Sequence, residues 1–254
     1  MWNCNATKLP MDPKENISKD EGGRCVDTTH FKSMIGGLRY LVHTRPDIAY
    51  SVGIVSRYME KPTEMHLLAA KQILRYVRGT LNHGLVYNRG SGSELLTRYF
   101  DSYLAGHDED RRSTGGKVFY LDDRLVTWAS QKQRSVVLSS CEAEFMAATA
   151  AACQAIWLRK MVSQVTGKHV LPVMLYLDNK SAIDLTKNSV FHGRNKHIDI
   201  RYHFIRECVE NGDILVKHVS TDLQRADVLT KALPTARFEK MRLLLGVTDL
   251  QTVV

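Results

Sequence analysis

The sequence predicts an α/β protein: a five-stranded mixed sheet with flanking helices, in the order βββαβααβα, preceded by a small all-α region. Three observations carry that prediction. Short apolar or alternating runs bounded by turn formers begin only after Gly90. An Ala-rich segment from Ser140 to about Gln164 is too long for a strand, and its small residues suit close packing on a sheet. Before Gly90 the apolar residues recur instead at three- and four-residue intervals, punctuated by Pro46, Pro62 and Gly79.

Residues 1–27 read as an extended or poorly ordered leader, because Pro10, Pro13, Gly22 and Gly23 lie among charges with few apolar anchors. Three helices occupy 28–90. The first covers 28–41. The second starts at Pro46, whose fixed φ and missing N–H suit a first helical position, and ends near Glu60. The third is capped by Thr63 and stops at Gly79, with Leu67, Ala70, Leu74 and Val77 as its expected buried stripe. Strands are expected over 96–102, 117–121 and 125–129, the last two joined by a hairpin-type turn at Asp122, Asp123 and Arg124. The Ala-rich helix follows, then a strand over 173–177 and a short helix over 179–187. A helix over 198–211 stops at Gly212, a strand covers 214–219, and a last helix starts near Leu223. The sheet domain therefore spans 91–240, leaving 241–254 as a tail.

A net charge of +8 favours a polyanionic partner over a small acidic substrate. The five cysteines are odd in number and form no C-x-x-C pair, so neither a disulfide framework nor a zinc site is expected. No apolar run approaches a membrane span, and the N-terminus lacks the apolar stretch of a signal peptide. These features suit a reducing, intracellular setting, cytoplasmic or nuclear.

Four acids stand at expected element ends. Asp101 closes the first strand, Glu144 lies early in the Ala-rich helix, Asp178 ends the 173–177 strand, and Asp227 opens the stretch 226–231. Clustered carboxylates repel one another unless a hard cation such as Mg²⁺ neutralises them. A ring of acids at such ends is therefore a candidate two-metal site for phosphodiester hydrolysis. Two of the acids also have a blander role available. Glu144 could be a surface residue near a positive helix end, where Ser139 and Glu142 already have capping-box spacing. Asp178 could simply cap the helix after it. The segment 192–206 is basic with interleaved aromatics, which suits phosphate and sugar contacts; Arg194, Lys196 and Arg201 are the candidates. The alternative there is a solvated helix face with Ile200 and Phe204 turned inward.

Several segments in fixed order resemble the copia-type LTR-retrotransposon Pol polyprotein. They are Thr44-Arg45-Pro46-Asp47-Ile48-Ala49-Tyr50, the run from His66 to Thr80, Leu138-Ser139-Ser140-Cys141-Glu142-Ala143-Glu144, Tyr176-Leu177-Asp178-Asn179-Lys180-Ser181-Ala182, the run from Lys196 to Arg206, and Ala226-Asp227-Val228-Leu229-Thr230-Lys231. The resemblance implies the helical thumb/connection end of a reverse transcriptase over 28–90, followed by a ribonuclease H domain. The family's four metal-binding catalytic acids fall on Asp101, Glu144, Asp178 and Asp227. Their order, with Glu second, is that of ribonuclease H; an integrase of the same fold has its glutamate last.

The chain departs from the family's D-A-D-W-A-G pattern, with Tyr103 for the second acid, Leu104 for the tryptophan, and Arg98 for a glycine before it. Tyr120-Leu121-Asp122-Asp123 spells the Y-x-D-D signature of a reverse-transcriptase active site, but it falls in a tight turn and is read as an accidental match. With the polymerase palm absent, no DNA synthesis is expected from this chain alone.

The implied activity is endonucleolytic hydrolysis of the RNA strand of an RNA–DNA hybrid, with two Mg²⁺ ions, or Mn²⁺ in their place, about 4 Å apart. Asp101 would bridge them, with Glu144 and Asp178 on one and Asp227 on the other. A palm supplied by another chain is a candidate partner for the helical region. The competing reading is a catalytically silent, truncated remnant that at most binds nucleic acid.

Overall fold

Asp27 accepts a hydrogen bond from the Thr29 N–H at 2.8 Å and so starts α1 (Thr28–Leu41). Pro46 opens a 3₁₀ turn (Pro46–Ile48) that runs into α2 (Ala49–Val55) and a second 3₁₀ turn (Ser56–Tyr58). The single helix expected from Pro46 is thus three tandem pieces. Thr63 caps α3 (Glu64–Gly79) in a capping box, with His66 in the place usually taken by Glu. The Thr63 N–H donates to His66 Nδ1 at 2.9 Å, which assigns the ring proton to Nε2, 3.1 Å from the Ser18 carbonyl. The computed structural model, in which these contacts are seen, describes residues 4–15, 17–18, 23–88, 96–103, 113–133, 140–168, 170–187 and 196–252; side chains 140–146, 185–187 and 196–202 also lie outside the description.

The buried face of α3 differs from the expected one. His66, Ala69, Ala70, Ile73 and Tyr76 are inside, while Leu67, Leu74 and Val77 are half-buried. Two ring contacts set the rotation: His66 stacks on Tyr58 with centroids 4.0 Å apart, and Tyr76 packs edge-on to Phe238. The three- and four-residue spacing alone favoured Leu67, Leu74 and Val77. Among its described residues the leader holds neither helix nor strand beyond a bridge from Cys25 to Thr63, yet Met11 and Ile17 are buried and the Tyr58 hydroxyl donates to the Ile17 carbonyl.

Contacts divide the chain into two units, Met1–Val86 with Lys231–Val254, and Tyr87–Thr230. The first therefore includes 231–254, a stretch expected to belong partly to the sheet domain and partly to a tail. It contains α7 (Thr235–Leu244) and a small antiparallel pair, β1 (His83–Leu85) with β7 (Val247–Asp249). At its centre Arg45 grips Asp47 through two bonds of 2.9 and 2.7 Å, and the Tyr76 hydroxyl donates to the same carboxylate at 2.6 Å. All three residues are buried.

The second unit is built on β2 (Leu96–Tyr103), β3 (Thr114–Leu121), β4 (Arg124–Lys132), β5 (Val173–Leu177) and β6 (Ile214–His218). Their order is β4-β3-β2-β5-β6, antiparallel across β4, β3 and β2 and parallel across β2, β5 and β6. This is the ribonuclease H-like mixed sheet expected from the sequence. Asp122 and Asp123 form the two-residue turn between β3 and β4, Asp122 at φ +56°, a turn role and not a catalytic one.

The sheet's helices are α4 (Ser140–Thr166), α5 (Lys180–Lys187) and α6 (Lys196–Glu210). They pack on one face, where Ala148, Ala151, Ala152 and Ala155 of α4 meet Leu96 and Phe100 of β2, Leu175 of β5 and Ile205 of α6. Alanines let the helix axis approach the strands, and each large side chain buried beneath it contributes about 1.5–3 kcal/mol. No helix starts at Leu223. Two 3₁₀ turns, Thr221–Leu223 and Asp227–Leu229, occupy that stretch, and the last helix waits until after Pro234.

Candidate active site

Strand register brings the first two acids level. Tyr99 of β2 pairs with Tyr176 of β5 in the parallel ladder, so Asp101 and Asp178, each two residues further on, reach the same edge and face. Neighbouring strands lie about 4.8 Å apart, which makes their carboxylates neighbours. The third acid arrives from another direction. Asp227 sits in a 3₁₀ turn of the segment 224–230, which lies flat against β3.

Gly116 makes that approach possible. It pairs with Asp101 across β2 and β3, and a Cβ built there would stand 2.7 Å from Thr230 Cγ2, 2.8 Å from the Ala226 carbonyl and 2.9 Å from Leu229 Cβ. Any side chain would push the segment, and Asp227 with it, off the sheet. Two further residues pin the segment. Gln224 donates to the Phe100 carbonyl at 3.0 Å, and the Thr230 hydroxyl lies 2.6 Å from Asp101 Oδ2. The outcome is a cluster in which one carboxylate oxygen from each of Asp101, Asp178 and Asp227 lies within 4.8 Å of the others. Asp101 and Asp227 are buried, and Asp178 is half-exposed. An open cleft at Asp178 is lined also by Asn179, Lys180 and His218.

The capping role weighed for Asp178 belongs to its neighbour, since Asn179 Oδ1 accepts from the Ala182 N–H at 3.2 Å. Glu144 lies in α4, one turn before Ala148. Its side chain, like those of Lys196 and Arg201 on α6, lies outside the description, as do Arg194, Leu104 and the Ser139 end of the expected capping box. Among the described acids, the three aspartates are brought together as the sequence reading required. Gly116, Gln224 and Thr230 were not anticipated. Only their positions beside Asp101 and Asp227 in space reveal them, although Thr230 falls within the 226–231 motif.

Arg98 occupies β2 three residues before Asp101, on the face covered by α4, and is 1% exposed. Its guanidinium carbon lies 4.2 Å from the centre of the Phe119 ring and 5.7 Å from that of Phe100. Among the described residues its Nε and Nη1 have no hydrogen-bond partner. Burial pushes its pKa well below the ordinary value, with Cys153 opposing the shift. The opposite sheet face carries Tyr99 stacked on Tyr176 at 4.7 Å, with Arg225 over the Tyr99 and Tyr120 rings.

All-oxygen carboxylate donors at this spacing fit a hard divalent cation. Among the described residues no helix is long and apolar enough to cross a membrane. No family model matches the chain. A retrovirus-related Pol polyprotein from transposon RE1 of Arabidopsis thaliana is 41% identical over 248 residues, covering 98% of this chain and 17% of that protein. Its counterpart from transposon TNT 1-94 of Nicotiana tabacum is 42% identical over 217 residues, covering 85% of this chain and 16% of that protein. Among solved structures, LC11-RNase H1 isolated from compost is similar at 15% identity and a TM-score of 0.41, over 54% of this chain and 93% of that one. The chain spans about a sixth of the length of the curated relatives it matches, and it belongs to the copia-type retrotransposon Pol family.

Proposed function

We propose that the sheet unit is a retrotransposon-derived ribonuclease H that cuts the RNA strand of RNA–DNA hybrids endonucleolytically. The observation that carries this reading is the meeting of Asp101, Asp178 and Asp227 within 4.8 Å, from elements far apart in sequence. Such a cluster of carboxylates is unfavourable without a cation, and its position at the parallel strands' carboxyl ends is where α/β folds place ligands. The net charge of +8 supports a nucleic acid partner.

Asp101, Asp178 and Asp227 would hold Mg²⁺ or Mn²⁺, with Glu144 of α4 as the fourth ligand. A pair of such ions, when bound, supplies a nucleophilic water at neutral pH and stabilises the leaving 3′-oxygen. The chain's own share is positional. Asp101 and Asp227 are buried, so their geometry is set by β2, β3 and the 224–230 segment and not by solvent. Arg194, Lys196 and Arg201 neutralise backbone phosphates, and contacts to 2′-hydroxyls in the shallow minor groove select RNA. The helical unit docks on a polymerase palm supplied by another chain, in an intracellular setting.

A labelled RNA–DNA duplex tests this directly. Cleavage should require Mg²⁺ and stop with EDTA. Asp178→Asn, which removes charge but little volume, should abolish product while leaving the fold and hybrid binding intact. Undiminished cutting by that variant would sink the site assignment. One observation favours the second reading, a silent remnant: the buried charge of Arg98 in the strand that carries Asp101. Hybrid binding by the parent protein without product in Mg²⁺ would establish it.

A further inference from the structure

We propose that Thr230 is a positioning residue for the metal centre, its hydroxyl holding Asp101 in the orientation that presents the other carboxylate oxygen, Oδ1, to a divalent cation. This rests on the metal-dependent reading of the acidic cluster.

Thr230 is fully buried, and its single hydroxyl proton has two acceptors within reach, Asp101 Oδ2 at 2.6 Å and the Asp227 carbonyl at 3.0 Å. The shorter, charge-assisted contact takes the proton, because a hydrogen bond to a carboxylate is roughly twice as strong as one to a neutral acceptor. The Asp227 carbonyl is served separately by the Thr230 backbone N–H at 3.1 Å. One residue therefore ties both acids together: its backbone closes the turn carrying Asp227, and its side chain fixes Asp101.

The surroundings leave that side chain little freedom. A β-branched residue has restricted χ1, and Thr230 Cγ2 is packed so closely over Gly116 that a Cβ there would stand 2.7 Å from it. Gln224 anchors the far end of the segment to the Phe100 carbonyl, next to Asp101 in the chain. Partners of this kind, which orient a ligand without touching the metal, typically govern affinity by about 10–100-fold.

The test uses the full chain and Mn²⁺ as the probe, with affinity read by calorimetry and by the loss of the free-ion electron paramagnetic resonance signal. Thr230→Val removes the hydroxyl and keeps the branched shape; Thr230→Ser keeps the hydroxyl. We expect Mn²⁺ affinity to fall about 10–100-fold in Thr230→Val and to return near the parent value in Thr230→Ser, whatever small changes in melting midpoint accompany them in EDTA. Should Thr230→Val fail to fold, Thr230→Ala removes the hydroxyl without adding an atom and is expected to show the same loss. Parent-like Mn²⁺ affinity in a folded variant lacking the hydroxyl overturns the proposal, and so does a parent protein that binds no Mn²⁺. Hybrid cleavage is measured in parallel and separates the two claims. Mn²⁺ binding that depends on Thr230, with no cleavage by the parent, retains the positioning role and removes the nuclease function.

Discussion

Replacing Arg98 with leucine should stabilise the sheet unit. An ion taken out of water without a partner costs several kcal/mol even after the protein relaxes. Arg98 is 1% exposed, and Nε and Nη1 have no partner among the described residues. The ring faces of Phe119 and Phe100 offset about 2 kcal/mol of that. Leucine is shorter, and the gap it leaves beneath α4 costs about 1–2 kcal/mol at the known dependence on cavity volume. The balance favours the variant by about 1–3 kcal/mol. For a unit of this size each kcal/mol moves the midpoint by about 2–4 °C, so the melting midpoint followed by circular dichroism in EDTA should rise by about 2–12 °C. A lower midpoint for both Arg98→Leu and the unbranched Arg98→Met would refute the reasoning, since it would mean that the guanidinium is satisfied where it lies.

Four other outcomes are expected. Asp47→Ala strands the Arg45 guanidinium inside the helical unit and should cost about 3–5 kcal/mol, read as a lower denaturation midpoint; Tyr76→Phe, which loses one bond to that carboxylate, should cost about 1.5–3 kcal/mol. Burial raises the Tyr120 phenol from 10.0 to about 12, against the lowering effect of Arg225. The folded state thus prefers the protonated form, and the associated stability is complete below pH 10 and lost as pH climbs toward about 12; a tyrosinate absorbance titration that finds every tyrosine ionising near its ordinary value would contradict this. Mg²⁺ at a hundredfold excess over its dissociation constant should stabilise the parent protein by about 2.7 kcal/mol, and Asp178→Asn by much less. Equal stabilisation of the two would place the ion elsewhere.

Local signals in the sequence were read correctly wherever one residue type controls the backbone. Pro46 and Thr63 start their turn or helix because the first turn's N–H groups need a cap or no partner at all. The strand over Val173–Leu177 was legible as a short apolar run, of which the alternate residues Val173, Leu175 and Leu177 are buried. The α3 stripe was misplaced because its orientation follows the stacking of His66 on Tyr58, a partner from another element. The helix expected at Leu223 failed for a similar reason: the chain there is held by Gln224 on β2 and by contact at Gly116. Those bonds compete with helical ones, and nothing within 223–230 announces them.

The sequence by itself determined the five strands of the sheet and the three helices packed on it, the basic charge and the identity of the acids, because these depend on local periodicity and residue chemistry. Tertiary structure alone decided that Asp101, Asp178 and Asp227 share one site, that residues 231–254 belong with the helical unit, and that Thr230, Gln224 and Gly116 hold the site together. The physical reason is distance along the chain. Thr230 is 129 residues from the carboxylate it touches, and such a contact exists only after strand register and the close approach at Gly116 have set the geometry.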